Sequence, residues 1–310
     1  MRKLVLPGGG GYLGAFLVRH FVERGWEVVV LSRRPERVTG ARGVYWDGGT
    51  VGEWARELEG AAAVMNLAGR SVNCRYHAPN RREIYESRLR STAAVGAAIA
   101  ACAEPPPVWI NSSSATIYRH ALDRPMDETT GEIGTGFSVD VCLRWERALA
   151  DAPTPGTRKV ALRSALVLGP GRGGVMEVFQ RLARLGLGGT MGRGDQFVSW
   201  VHADDFCRAV EWLIEHPELE GPVNCAAPSP VPNREFMRLL RRACGVPFGL
   251  PAADWMLEIG AYLLNSETEL LLKSRRVVPG RLLASGFELR YPHPAEALED
   301  LCRAAPAVAG

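Results

Sequence analysis

Leu4-Val5-Leu6-Pro7-Gly8-Gly9-Gly10-Gly11-Tyr12-Leu13-Gly14 lies at the head of the chain and decides how it folds. An apolar run passes into four consecutive glycines, and a helical pattern over 12–24 follows. Gly8, Gly11 and Gly14 fit G-x-x-G-x-x-G between a strand and a helix. In that arrangement the first glycine permits a tight turn. The second lets the backbone approach a pyrophosphate, and the third lets the helix pack closely on the sheet. Phosphates would sit at the helix N-terminus, where unpaired N–H groups and the dipole favour anions. Gly8, Gly9, Gly10, Gly11, Tyr12, Leu13 and Gly14 are therefore expected to cradle a dinucleotide; the alternative is a merely flexible turn.

Outward from this loop, short β-branched runs alternate with longer helical patterns. Strands are predicted at 3–7, 27–31, 43–46, 62–67, 107–111 and 159–168, and helices at 12–24, 51–58, 80–102, 138–150, 174–185 and 204–216. This alternation implies βαβ units and right-handed crossovers. The expected class is α/β: a Rossmann-type doubly wound parallel sheet with a smaller C-terminal substrate lobe. Residues 1–168 are assigned to the dinucleotide-binding domain, with 195–226 returning to it. Residues 169–194 and 227–310 are assigned to the lobe, including helices at 233–244, 252–272 and 294–303. Loops of such a sheet converge on its carboxyl edge, where the ligand is expected.

Composition narrows the function. The 310 residues are 46% hydrophobic and 23% charged, ordinary for a globular chain. The net charge of +3 argues against nucleic acid as a main partner. No apolar run reaches the roughly 18 residues of a membrane span, and no secretory leader is read at the N-terminus. The seven cysteines are scattered and odd in number, without a C-x-x-C pair. They suit a reducing compartment, the cytoplasm, and give neither a disulfide framework nor a metal site. Each reads as a small buried hydrophobe. Lysine occurs only at Lys3, Lys159 and Lys273, so no ammonium side chain lies between residues 4 and 158.

The second strand ends in Val30-Leu31-Ser32-Arg33-Arg34. An NAD site usually places an acidic residue there for the ribose 2′-hydroxyl. Ser32, Arg33 and Arg34 would instead hydrogen-bond and neutralise a 2′-phosphate, so NADP(H) is the expected cofactor. The alternative is a solvated charged turn.

These residues resemble a short-chain dehydrogenase/reductase of the extended type, the class that includes nucleotide-sugar epimerases. Asn66-Leu67-Ala68-Gly69 is similar to the family's segment under the cofactor, which implies roles for Leu67, Ala68 and Gly69. Asn111 to Tyr118 (NSSSATIY) is similar to its S-S-S-A-x-x-Y segment, in which Ser114 matches the serine that hydrogen-bonds substrate. Arg163 to Gly171 (RSALVLGPG) and Ser199 to Asp205 (SWVHADD) match two further segments. Details such as Glu83 to Thr92 (EIYESRLRST), Gln196 to His202 and Ser274 to Pro279 resemble one branch, the "epimerase family protein" group with a C-terminal extension. That resemblance implies NADP(H) binding, with Glu83 and Arg88 near the cofactor. Many relatives dimerise, and the expected state is monomer or homodimer, with a small-molecule substrate as partner and no membrane.

The pattern breaks at the chemistry. The superfamily uses Tyr-x-x-x-Lys, the tyrosine as general acid or base and the lysine lowering its pKa. None of the seven tyrosines is followed by lysine four residues on. Aligned on Glu146, Ser138 stands at the tyrosine position and Cys142 at the lysine position. Ser114 and Tyr118 remain as catalytic candidates, Tyr118 being either a proton handler or a structural residue at a strand end. Arg163 either clamps an acidic substrate or makes a structural ion pair. His202 either contacts substrate or serves as a structural hydrogen-bonding residue. Two function classes follow: an NADP(H)-dependent oxidoreductase or epimerase-like enzyme on a small polar substrate, or an NADPH-binding sensor or scaffold without catalysis.

Overall fold

A computed structural model describes residues 1–263 and 273–303. Its aliphatic runs form strands covered on both faces, as a parallel sheet requires. The first six are β1 (Lys3–Pro7), β2 (Glu27–Ser32), β3 (Arg42–Tyr45), β4 (Ala63–Asn66), β5 (Val108–Ser114) and β6 (Arg158–Ser164). With β10 (Gly221–Cys225) they make one seven-stranded sheet in the order β3-β2-β1-β4-β5-β6-β10, parallel throughout.

Successive residues of each strand face opposite layers. Leu4, Leu6, Val28 and Val30 meet Phe16, Leu17 and Phe21 of α1 (Tyr12–Val22) and Phe206, Val210 and Leu213 of α5 (Ala203–Glu215). Val5, Val29, Val64 and Trp109 meet Val95, Ala98 and Ile99 of α2 (Ala78–Ala100) and Leu149 of α3 (Phe137–Ala150). Each such side chain, fully buried, contributes about 1.5–3 kcal/mol.

The sequence reads 159–168 as one strand, but the chain leaves the main sheet at Ala165. Its N–H donates to the Cys225 carbonyl at 2.9 Å, and the next N–H, of Leu166, to Ser199 at 3.2 Å. β7 (Leu166–Leu168) then pairs with β9 (Trp200–His202) in a two-stranded sheet of its own. β8 (Phe197–Val198) pairs antiparallel with β11 (Val231–Pro232). The helix expected at 51–58 is a 3-10 helix over Glu53–Leu58.

A second core gathers Met176 and Phe179 of α4 (Val175–Arg184), Phe236, Met237 and Leu240 of α6 (Asn233–Ala243), and Leu298 and Leu301 of the C-terminal helix around Trp200. α7 spans Asp254–Leu263, and the rest of the helix expected at 252–272 lies outside the described residues. α8 (Gly280–Ala284) and α9 (Pro294–Arg303) complete the order.

One carboxylate ties this C-terminal part down. Asp205, fully buried at the start of α5, accepts from the backbone N–H groups of Arg290 and Tyr291, each at 2.8 Å, and from Arg208 Nη1 at 2.8 Å. Asp205→Ala would leave those N–H groups without an acceptor, each costing about 1–3 kcal/mol. Urea unfolding of the variant should show stability reduced by about 2–4 kcal/mol; an unchanged midpoint would remove Asp205 from this role.

Candidate functional site

The order of strands reverses between β1 and β4, so their carboxyl ends open a crevice, the usual ligand position in such sheets. Both walls are backbone. Gly8 has φ +74°, a left-handed conformation, and its N–H donates to Leu31 at 2.9 Å. A Cβ on Gly8 would lie 2.6 Å from the Cα of Ala68 on the opposite wall. One on Gly14 would lie 1.8 Å from the Gly9 carbonyl oxygen, so α1 packs directly on the loop. Gly11, by contrast, faces open space. It is the N-cap of α1 and no side chain caps it, so the first-turn N–H groups lack an internal acceptor. The Tyr12 side chain turns away, its hydroxyl donating to the Gly169 carbonyl at 2.7 Å; burial pushes its pKa up to about 12. Leu13 packs against the α1-side core, and Gly10 sits beside the Ser32 hydroxyl.

Ser32 Oγ accepts from Arg34 N at 3.1 Å, which shapes the turn after β2. Arg33 and Arg34 are exposed at the crevice's rim. On the other wall, Leu67 N donates to Pro7 O at 2.8 Å and Ala68 N to Asn66 Oδ1 at 3.0 Å. Asn66 in turn donates to Asn111 Oδ1 at 2.7 Å, and both amides are buried. This pair was missed in the sequence. Its signal was there: an asparagine at or near the carboxyl end of two strands, which the sheet places in register.

Gly69 lies over Arg88, whose Cζ would be 3.2 Å from a Cβ there. Arg88 Nη1 donates to the Arg70 and Ile84 carbonyls at 3.0 and 3.1 Å, and its guanidinium sits 4.9 Å above the Trp145 ring. Its neighbours include Cys142 and Cys74, and burial lowers its pKa. Glu83 pairs with Arg70, which also donates to Asn80 at 2.7 Å. Glu83 therefore meets the segment after Gly69 through Arg70.

Beside the crevice runs a buried polar network. Glu146 of α3 accepts from Arg163 Nε at 2.8 Å and Nη2 at 2.7 Å, and from Ser113 Oγ at 2.6 Å. Arg163 Nη1 donates to the Tyr118 hydroxyl at 2.9 Å, which donates to Asn224 Oδ1 at 3.0 Å. Asn224 donates from its backbone to Glu128 at 2.8 Å and from its side chain to Val278 O at 3.0 Å. Burial opposes the charge on Arg163, but its bonds to Glu146 outweigh burial and hold its pKa above the ordinary value. Tyr118 is 1% exposed, and burial raises its pKa despite the Arg163 charge.

The Tyr118 hydroxyl is buried and bonded twice, to Arg163 and Asn224. Arg163 makes an ion pair with Glu146. His202 is 2% exposed; its Nδ1 accepts from Asp204 N at 3.1 Å, capping α5, and its Nε2 lies 3.4 Å from Asp300. Burial lowers its pKa. Ser114 stays half-buried at the end of β5, accepting from Thr116 N at 3.2 Å and donating to Thr116 Oγ1 at 2.9 Å. Among the described residues no cluster of His, Cys, Asp and Glu suits a metal ion, and no helix is long and apolar enough to cross a membrane.

Residues 4–226 match the NAD dependent epimerase/dehydratase family. The chain belongs to that family. Residues 252–301 match a domain of unknown function, DUF1731, the C-terminal extension. The bovine epimerase family protein SDR39U1 is 32% identical over 305 residues, covering 96% of this chain and 99% of its own. Epimerase family protein Mb2239 of Mycobacterium bovis is 30% identical over 299 residues, covering 95% and 96%. The crystal structure of human SDR39U1 isoform 2 with NADPH superposes with TM-score 0.87 at 30% identity, covering 98% of this chain and all of that one. The Rossmann-like fold expected from the glycine loop is thus the family's. Arg88, Arg163 and Arg275 supply positive charge around Cys142.

Two outcomes follow from the network. Glu146→Ala leaves the buried Arg163 charge unpaired, and denaturant unfolding should register a loss of about 3–5 kcal/mol; the double variant with Arg163→Met should recover most of it. The Cys142 thiol, pushed up to about 12 by burial with Glu146 adding to the shift, is protonated at neutral pH. In the folded protein it should resist iodoacetamide from pH 7 to 9, as followed by peptide mapping; rapid labelling at pH 7 would contradict this.

Proposed function

We propose that the chain binds NADP(H) in the crevice between β1 and β4 and exchanges hydride between that cofactor and a small polar substrate. The observation that carries this reading is the glycine-lined turn beneath an uncapped helix N-terminus, with space left at Gly11. The human relative crystallised with NADPH supports it. When bound, the cofactor supplies the hydride chemistry itself. Backbone from Gly8 to Gly14 holds the pyrophosphate. Ser32, Arg33 and Arg34 hold the 2′-phosphate through charge-assisted bonds. Leu67, Ala68 and Gly69 form the opposite wall, supported from below by Arg88 and, through Arg70, by Glu83.

On the substrate side, Ser114 orients a carbonyl oxygen. The proton is exchanged with water, because Tyr118 is committed to Arg163 and Asn224. The substrate is a small molecule, and the protein is a monomer or homodimer of the cytoplasm. The sealed Tyr118 hydroxyl also favours a second reading, an NADPH-binding sensor or scaffold that does no chemistry.

Titration with NADPH and NADH, followed by tryptophan fluorescence, tests the cofactor. NADPH should bind at least tenfold tighter, about 1.4 kcal/mol, and Arg33→Ala should erase that gap. Equal or absent binding would refute the Ser32–Arg34 assignment. A panel of small carbonyl compounds then separates the two readings: NADPH oxidation lost in Ser114→Ala supports the enzyme, and binding without any turnover supports the sensor.

A further inference from the structure

We infer that Cys244 and Cys302 form a redox pair, which a peroxide-class oxidant closes into a disulfide that staples α9 to α6. The two residues are distant in sequence, and packing alone brings them together. Cys244 ends α6 and Cys302 lies in the last turn of α9, with Sγ atoms 3.1 Å apart. A disulfide needs about 2.05 Å between sulfurs, so a shift of roughly 1 Å closes the bond. Both residues are half-buried, within reach of a small oxidant, unlike the buried Cys74, Cys142, Cys207 and Cys225.

The surroundings divide the two thiols by role. The two thiols share one S–H···S contact, and Gln180 Nε2, 3.8 Å from the Cys302 sulfur, donates to that sulfur. The contact with Cys244, the Gln180 amide and the charge of Arg184 draw the Cys302 thiol down. Gln180 donates to the Cys302 sulfur, and that bond, which favours a thiolate there, marks Cys302 as the nucleophile. Its thiolate attacks one oxygen of hydrogen peroxide: an S–O bond forms, the O–O bond breaks, and hydroxide leaves to become water. Cys244, giving its proton to solvent, then attacks the sulfenic sulfur. The S–S bond forms, the S–O bond breaks, and a second water departs. Two electrons pass from the two thiols to the peroxide.

The position of the bond gives it a consequence. It encloses residues 245–301, and so brackets the whole segment 252–301 that matches the C-terminal domain. In the reduced state α9 is held by packing on α6, through Leu298 and Leu301 against Leu240, and by the Gln180 bond to Leu301 O at 2.9 Å. Oxidation adds a covalent tie that restricts the unfolded chain.

Full-length protein is treated with hydrogen peroxide, alkylated in denaturant and digested. The expected product is the Cys244 and Cys302 peptides joined, released by dithiothreitol, with the other five cysteines, half-buried Cys102 among them, still alkylated. The oxidised protein should melt about 5 °C or more above the reduced one. Cys302→Ser should abolish both the link and the shift, and Cys244→Ser should leave a Cys302 sulfenic acid that dimedone captures. Cys302 over-oxidised while wild-type Cys244 stays alkylated would overturn the pair, as would a link through another cysteine. A link without a change in melting temperature would overturn the staple.

Discussion

The carboxylate of Glu146 and the guanidinium of Arg163 meet inside the molecule, and the region beside the crevice takes its form from that meeting. Neither charge is tolerable there alone, since removing one partner of a buried pair leaves the other without water. The cost is met by completing the hydrogen-bond set. Ser113 supplies a donor to Glu146, and Tyr118 accepts from Arg163 and passes the chain on to Asn224. Three strands, α3 and the segment around Val278 are thereby joined by side chains as well as by the sheet's backbone bonds. The same bonds explain the chemistry. A phenol that satisfies a buried guanidinium is held in one place.

The crevice is organised by the opposite means. Its walls are made of missing side chains and of backbone groups with nothing else to bind. Gly8 and Gly14 allow contacts that any Cβ would forbid, and the bare N-terminus of α1 leaves donors facing the opening. The paired amides of Asn66 and Asn111 hold the far wall at its position from within the sheet. Positive charge comes from arginine rather than lysine. Arg88 lies under Gly69 and beside Cys142.

The C-terminal extension is attached by a similar logic. Asp205, Ser199 and Glu128 each accept backbone N–H groups from it: Arg290 and Tyr291, Val277, and Arg281 respectively. An acceptor buried on the sheet side and a donor from the extension satisfy each other only when the two parts are in contact. Their separation would leave groups of both unpaired.

Much of this was legible in the sequence. Six of the seven strands of the main sheet, most of the helices and the glycine loop followed from periodicity and glycine spacing, which are local properties of the chain, whereas β10 did not. The absence of Tyr-x-x-x-Lys was equally plain, because it is a matter of residue identity. The break at Ala165 was not, since the strand-like pattern from Lys159 to Leu168 hides a change of partner strand. Nor were the roles of Tyr118, Arg163 and His202, each compatible with catalysis or with structure. The sequence by itself determined the layered fold and the site of the crevice. Only the tertiary structure decided which polar groups meet: Tyr118 with Asn224, 106 positions away, and Cys244 with Cys302, 58 away. The reason is physical: a hydrogen bond between distant residues has no local signature and exists only once packing has excluded water from both.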